Sequence, residues 1–385
     1  MENLDFILDD WKISKSSNLI IKRIKICNEC EYKNENTDGY KYCNLCGCSL
    51  NNKIQAPSSA GCPIGKWELE KKEKRNLRFL CAQPASIYYA WQIEVLLNNF
   101  LEMGINLNNV DIVCWKNGEI PTEWMKLANN YAARFFFYDD NRKTKYYISS
   151  IRPNILKQHF LAHSYLSNET IFYHDCDIIF TKPISEWITE EMINDDNWYG
   201  SNVLWYISYD YILSKGEDVL DEMCKIVKID RDLVKQNSEN SIGAQYLMKN
   251  IDYYFWDRIE TDCENLFNEI TKLNQSKKQI EPKYHELQIW CADMWALLWN
   301  AWKMNFKTIL HPNFDFSWGT SNEEEYLRCN IMHNAGVVND LNGFFYKANY
   351  INKLPFNQNL DIKKNSGSWH YYEWIKKTEK KSVLL

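Results

Sequence analysis

Short apolar runs alternate with amphipathic stretches through most of the chain. Residues 77–82 (Leu-Arg-Phe-Leu-Cys-Ala) form an apolar run that stops at Gln83-Pro84, which predicts a strand. Apolar residues then recur with helical spacing over 87–103 and end at Gly104, which predicts a helix. The same reading predicts a strand over 110–115, closed by Asn117-Gly118, and a helix over 124–131. A strand over 133–138 ending at Asp139-Asp140 and a helix over 150–164 follow. Residues 170–180 predict a fourth strand, broken in its middle by His174-Asp175-Cys176-Asp177. Strands alternating with helices at this spacing predict an α/β fold, a mostly parallel sheet flanked by helices. Ligands in such sheets sit at the carboxyl ends of the strands.

Further along, 198–216 is rich in Trp and Tyr and reads mainly as core. Residues 260–282 carry few apolar anchors and read as a helix plus an exposed loop. Residues 287–299 read as a Trp- and Leu-rich helix with Asp293 as its lone carboxylate. After Tyr350 the chain turns polar, and 376–381 reads as a frayed tail.

Composition narrows the function. The 385 residues are 45% hydrophobic and 25% charged, an ordinary globular balance. A net charge of −6 gives no basic excess for a nucleic-acid backbone. Only 13 glycines argue against a Gly-rich phosphate loop. No run approaches the roughly 18 apolar residues of a membrane span, and residues 1–15, with Asp5, Asp9 and Asp10, lack an apolar signal core. Six of the 13 cysteines lie between Cys27 and Cys62, and the rest are scattered singly. The odd total favours a reducing compartment, with metal at the clustered end.

That cluster reads Cys27-Asn-Glu-Cys30, twelve residues, Cys43-Asn-Leu-Cys46-Gly47-Cys48, and finally Cys62. Two Cys-x-x-Cys knuckles can bring four thiolates onto one tetrahedral Zn²⁺; a redox dithiol is the alternative. Cys27, Cys30, Cys43 and Cys46 are the first choice of ligands, and Cys48 or Cys62 could replace one or two of them. Residues 25–67, ending Cys62-Pro63-Ile64-Gly65-Lys66-Trp67, resemble the small zinc ribbons often attached to bacteriophage proteins. The resemblance implies a folding staple or a docking knob for a protein partner. Residues 1–24 would precede it, and the charged segment 68–76 would link it to the main domain.

The chemistry of the main domain shows in its fourth strand. Asp175 and Asp177, two apart in an extended strand, point to one face. Like charges at a buried strand end are costly unless a cation sits between them, and Mg²⁺ or Mn²⁺ with diphosphate oxygens completes such a site. The alternative is a solvated strand end with Lys182 as partner. The block Ile-Phe-Tyr-His-Asp-Cys-Asp-Ile-Ile-Phe-Thr-Lys-Pro-Ile (171–184) resembles the DxD strand of GT-A fold glycosyltransferases. Over residues 77–350 the resemblance is closest to peptide-directed enzymes of the hydroxyproline arabinosyltransferase and peptidyl-serine galactosyltransferase kind and to phage relatives. It implies a metal-dependent transfer from a nucleotide-sugar, a UDP-sugar by the habit of the fold, to a hydroxyl on a protein or glycan.

The resemblance also implies roles for single residues. Ala82 and Gln83 would lie against the nucleotide. Ile331-Met332-His333-Asn334-Ala335-Gly336 with Lys347 resembles, in looser spacing, the late His…Gly…Lys segment, which makes His333 the third metal ligand and Lys347 a diphosphate contact. Asp293 would face the acceptor and act as general base if the enzyme inverts; a buried cap is the alternative. Arg152 would meet the diphosphate or the sugar, or form a surface ion pair. Gln245, in a small-residue turn leading into a helix, would contact sugar hydroxyls. His174 would point away from the Asp pair and pack. The implied domain is 77–355, with a helix or tail over 356–385, in the cytoplasm (the host's, if phage-encoded). Two other readings stand beside this one. A zinc-ribbon scaffold with an inactive transferase-like domain would be expected to lack one of the two Asp residues. A sugar nucleotidyltransferase would need a basic, Gly-rich loop where Gln83-Pro84-Ala85-Ser86 stands.

Overall fold

A computed structural model of the chain describes residues 10–11, 18–55, 62–66, 74–340 and 342–382. The chain divides into two compact units, residues 1–74 and 75–385. The expected charged linker falls mostly on residues 67–73, outside the described residues.

The smaller unit contains helix α1 (Asn18–Asn28), a ribbon of strands β1 (Lys33–Glu35) and β2 (Lys41–Cys43), and a one-turn helix α2 (Leu50–Lys53). The ribbon turns where the Asn36 side chain accepts from the N–H groups of Asp38 and Tyr40. Its core is Trp11, Ile20, Ile24, Leu50 and Ile54 with Cys27 and Cys43.

In the larger unit the chain begins as the apolar pattern predicts: β3 (Leu77–Pro84), α3 (Ile87–Glu102), β4 (Val110–Trp115), α4 (Thr122–Asn130), β5 (Arg134–Tyr138) and α5 (Ile151–Ala162). The fourth predicted strand is two strands in different sheets, β6 (Thr170–Tyr173) and β7 (Ile178–Phe180). After β6 the His174 N–H still reaches the Leu80 carbonyl, and the chain then leaves the ladder. Asp175 and Asp177 are therefore delivered to the carboxyl end of the sheet rather than buried within it.

The chain continues through α6 (Glu190–Asn194), β8 (Trp198–Asn202), α7 (Leu204–Ile207), α8 (Tyr209–Leu213), α9 (Glu217–Val227), α10 (Arg231–Asn237) and β9 (Ile242–Lys249). Then come α11 (Tyr253–Ile280), α12 (Ala292–Lys303), β10 (Thr308–Leu310), β11 (Phe316–Trp318), α13 (Glu323–Arg328), β12 (Ile331–His333) and α14 (Gly367–Ser382). The large sheet has the order β10-β8-β9-β6-β3-β4-β5, and only β9 runs antiparallel to its neighbours. A second sheet, β11-β12-β7, sets Ile178 opposite His333. One apolar layer joins the sheet to α5, α11 and α12, and another lies under α3 and α4. The fold class is mixed α/β with a mostly parallel sheet flanked by helices. No described helix is long and apolar enough to cross a membrane.

Three local expectations are corrected. Over residues 260–282 the helix takes more of the segment than expected: α11 runs unbroken for 28 residues to Ile280, because Phe255, Ile259, Cys263, Leu266 and Ile270 repeat along one buried face, and the exposed loop begins only at Glu281. Residues 376–381 are not frayed, since α14 is anchored by Tyr371, Trp374 and Ile375 in a cluster with Trp91 and Val95. The segment 241–246 does not turn into a helix. It forms most of the first half of β9, where Gly243 meets Val203 and Met294 so closely that no larger residue fits without a shift.

Candidate active site

The carboxyl ends of β3, β4 and β6 open onto a cavity of about 620 Å³. It is lined by Ala82, Gln83, Arg152, Asp175, Asp177, Asp293, His333 and Lys347, together with many aromatic rings. Seven of the eight predicted donor-site, metal-site and acceptor-site residues other than Gln245 are polar, and the cavity gathers all eight.

Asp175 and Asp177 hang from the β6–β7 connection, and His333 from the end of β12. One ligand atom from each lies within 4.8 Å of the other two. The His333 Nε2 is 3.2 Å from Asp177 and 3.7 Å from Asp175. Trp318 lies parallel to the imidazole, with ring centroids 5.9 Å apart. The Gln245 Nε2 sits 3.5 Å from the imidazole Nδ1, while the Gln245 Oε1 accepts from Ser201. Gln245 is fully buried and does not line the cavity. Here Gln245 lies beside His333, while its neighbours Ala244 and Tyr246 line the cavity, at an irregularity in β9 where Ala244 has φ +59°.

Positive side chains answer the three carboxylates. Lys347 pairs with Asp177. The Arg152 guanidinium spans two carboxylates, 2.7 Å from Asp175 and 2.9 Å from Asp293. Burial alone would raise the Asp177 carboxyl, but Lys347 and His333 outweigh it and hold the group well below the usual carboxylate range. Burial likewise opposes protonation of His333, and the Asp177 charge reverses this and raises its affinity for a proton. Lys347 is also desolvated, and Asp177 stabilises its charge. Arg152 stands in the first turn of α5, just before Pro153, a residue suited to helix starts.

Two carboxylates and an imidazole suit Mn²⁺ or Mg²⁺, and the residues present fit such an ion. Gln83 fits a ligand of another kind. Its Nε2 donates to the Val113 carbonyl at 3.2 Å, while its buried Oε1 has no partner among the described residues. His174 packs between Phe100 and Phe172 away from the pair, as strand alternation predicts, and burial lowers its pKa to about 4.

The sequence did not signal the support of this site. The Tyr147 hydroxyl lies 2.8 Å from Asp293 Oδ1 and 2.6 Å from the Trp290 carbonyl, two acceptors that share its one proton. The buried Glu264 of α11 accepts from the Tyr146 N–H at 2.7 Å, the Tyr147 N–H at 3.4 Å and the Ser150 hydroxyl. Arg142 donates to the carbonyls of Tyr147 and Ile148. Together these contacts tie down the segment 142–150 that walls the cavity. No pattern in Lys-Thr-Lys-Tyr-Tyr (143–147) or around Glu264 announces this, because the partners are more than 100 residues apart.

In the smaller unit a narrow cavity is lined by Cys27, Cys30, Cys43 and Cys62, with Lys33 and Lys53. Cys62 rather than Cys46 completes this lining. The Cys46 thiol instead accepts from Lys53 at 3.3 Å. Slight desolvation of Cys46 is outweighed by hydrogen bonds from Cys48 and Lys53, which bring its pKa down to about 7. Gly47 follows with φ +68°, and its N–H meets the Cys43 carbonyl at 2.8 Å, as a knuckle turn requires. Among the described residues the closest three-ligand grouping is Asp175, Asp177 and His333, and the cysteines form none as tight.

No protein-family model matches the chain. No curated protein matches it either. Solved structures with a partial likeness include glycosyltransferases. The apo bifunctional glycosyltransferase WbbM has a TM-score of 0.38 and 10% identity, over 78% of this chain and 52% of that one. The chain thus spans about half the length of WbbM. The galactosyltransferase LgtC, bound to donor and acceptor sugar analogues, has a TM-score of 0.35 and 8% identity over 79% of this chain and 95% of its own. Mouse xyloside xylosyltransferase 1 has a TM-score of 0.35 and 9% identity over 68% and 98%.

Proposed function

We propose that the chain transfers a sugar from a nucleotide-diphosphate donor, a UDP-sugar in the first instance, to a hydroxyl acceptor in this cavity. The observation that carries the reading is the convergence of Asp175, Asp177 and His333 at the carboxyl end of the sheet, with Lys347 and Arg152 beside them. Mn²⁺ or Mg²⁺ held by those three residues would supply charge to the donor diphosphate. Lys347 and Arg152, both already partnered by carboxylates, would turn to the phosphate oxygens as the leaving group gains charge. Ala82 and Gln83 would line the nucleotide, the unpartnered Gln83 Oε1 accepting from a base or ribose donor. The acceptor hydroxyl forms the new bond to the anomeric carbon while the bond to the diphosphate breaks. In an inverting course Asp293 takes the hydroxyl proton, and Tyr147 fixes the orientation of its carboxylate.

We assign the smaller unit to a structural zinc held by Cys27, Cys30 and Cys43, with Cys46 or Cys62 as the fourth thiolate. We propose that it docks a protein partner and takes no part in the transfer. We place the protein in a reducing compartment, the cytoplasm.

Calorimetric titration of UDP in the presence of Mn²⁺ tests the donor site. Asp177→Asn should sharply weaken Mn²⁺-dependent UDP binding, because it removes a charged ligand from the ion that would bridge to the diphosphate. Asp293→Asn should bind UDP normally and lose transfer. Undiminished Mn²⁺-dependent UDP binding by Asp177→Asn would refute the metal site. Normal turnover by Asp293→Asn would remove it as the base.

A further inference from the structure

One exposed aromatic ring, Trp290, stands at the cavity rim and is not used by the donor chemistry. Trp290 lines the cavity yet is 60% exposed, and Trp205 is 65% exposed, whereas Trp91, Trp124, Trp198 and Trp295 are fully buried. The two exposed indoles are joined through Tyr206. Its ring stacks on Trp290 at 6.2 Å with a 19° interplanar angle, and meets Trp205 at 4.4 Å. The platform is held in place. The Tyr147 hydroxyl lies between the Trp290 carbonyl and Asp293, so this backbone and the carboxylate share one anchor.

We propose that Trp290, backed by the buried Tyr206 ring, offers a stacking face for a sugar ring of the acceptor, which makes the acceptor a carbohydrate. The proposal rests on the sugar-transfer reading of the cavity. Aromatic faces pack on the C–H faces of sugar rings, and such large apolar faces are otherwise costly to leave in water. Polar groups on the same cavity wall, Arg152 and Asp293, suit the hydroxyls at the edge of such a ring.

The backbone around the cavity argues against an extended peptide. Peptides commonly join an exposed strand edge. The strands of the large sheet that reach the cavity, β3, β4, β6 and β9, each have neighbours on both sides. Trp318, on edge strand β11, gives its N–H to the Ser321 hydroxyl, and its carbonyl accepts from the Ser321 N–H. At Trp318, where β11 reaches the cavity, both backbone groups are already taken.

Saturation-transfer NMR with methyl α- and β-glycosides of glucose, galactose and xylose, beside matched Ser- and hydroxyproline-containing peptides, tests the platform without turnover. The expected result is transfer to the axial ring protons of at least one glycoside, and its loss in Trp290→Ala. Trp290→Phe should recover it, since a flat face remains. With an active donor, the acceptor KM should rise about tenfold in Trp290→Ala, with kcat changed much less. Equal transfer in wild type and Trp290→Ala, no glycoside signal at all, or a signal from the peptides alone would overturn the proposal. Glycoside binding without turnover of any nucleotide-sugar would leave the platform standing and sink the transferase reading instead.

Discussion

Glu264 offers the strongest test of how this cavity wall is held. Its side chain is 2% exposed and accepts from two backbone N–H groups and the Ser150 hydroxyl, with the Arg142 guanidinium 4.0 Å away. Glu264→Gln keeps the volume and removes the charge. One carboxylate oxygen becomes an N–H₂ group; on the Ser150 side it can donate to that hydroxyl, whose own proton has the Tyr147 carbonyl as acceptor, while the other oxygen keeps the two backbone N–H groups. The cost is then the lost charge, and converting a charge-assisted bond to a neutral one costs about 1 kcal/mol per bond. The expected loss is about 1–3 kcal/mol, measured by urea denaturation followed by tryptophan fluorescence. The variant should also lower transfer, because Tyr147 and Arg152 follow the segment that Glu264 anchors. Arg142→Gln should lower it through the same segment. The double variant should be less harmful than the sum of the two, since both act on one network. A stability change under about 0.5 kcal/mol, or strict additivity of the two variants, would refute the argument.

Two further outcomes follow from charge and metal. Lys249 is fully buried, 2.6 Å from Asp195, and burial outweighs that carboxylate to lower its pKa to about 8. The unfolded chain therefore binds more protons than the folded one between about pH 8 and 10.5, and stability from this group rises with pH in that window. Relative to Lys249→Met, the wild type should gain up to about 3 kcal/mol from pH 7.5 to 10; a pH-independent difference between the two would contradict this. In the smaller unit, joint replacement of Cys27, Cys30 and Cys43 by Ser should abolish bound zinc by mass spectrometry of the metal. A full zinc equivalent in that variant would show that the ion sits elsewhere.

Much of the framework was legible because it rests on local period. The runs over 77–138 gave strands and helices close to their observed bounds, since each buries one face against its neighbour. The Asp175–Asp177 pair was legible for a related reason: charge cannot stay inside an apolar strand, so it marks where the chain leaves the sheet. That reasoning did not show that the chain enters a second sheet at once, because the pairing of β7 with β12 depends on residues about 150 positions away. Gln245 was misread because small residues such as Ser241, Gly243 and Ala244 read as a turn. Here Gly243 makes room for Val203 and Met294 against an interior strand.

Asp293 shows where single-residue reading stops. From its Trp-rich helix it was expected to be a lone, desolvated carboxylate. Instead it shares Arg152 with Asp175, so two carboxylates assigned to different substrates touch one cation. Tyr147 engages Asp293 Oδ1 and Arg152 engages Oδ2, so both carboxylate oxygens are occupied before an acceptor arrives. In the proposed reaction, a diphosphate that draws Arg152 away would free Oδ2 to receive the acceptor hydroxyl only once the donor is bound. The order of binding, donor before acceptor, would then follow from the charge arrangement rather than from a moving lid. Arg152→Gln removes that link. With Asp293 no longer held by the cation, acceptor binding measured without donor should rise toward its donor-bound value. Unchanged dependence of acceptor binding on donor in Arg152→Gln would show that the ordering, if present, has another source.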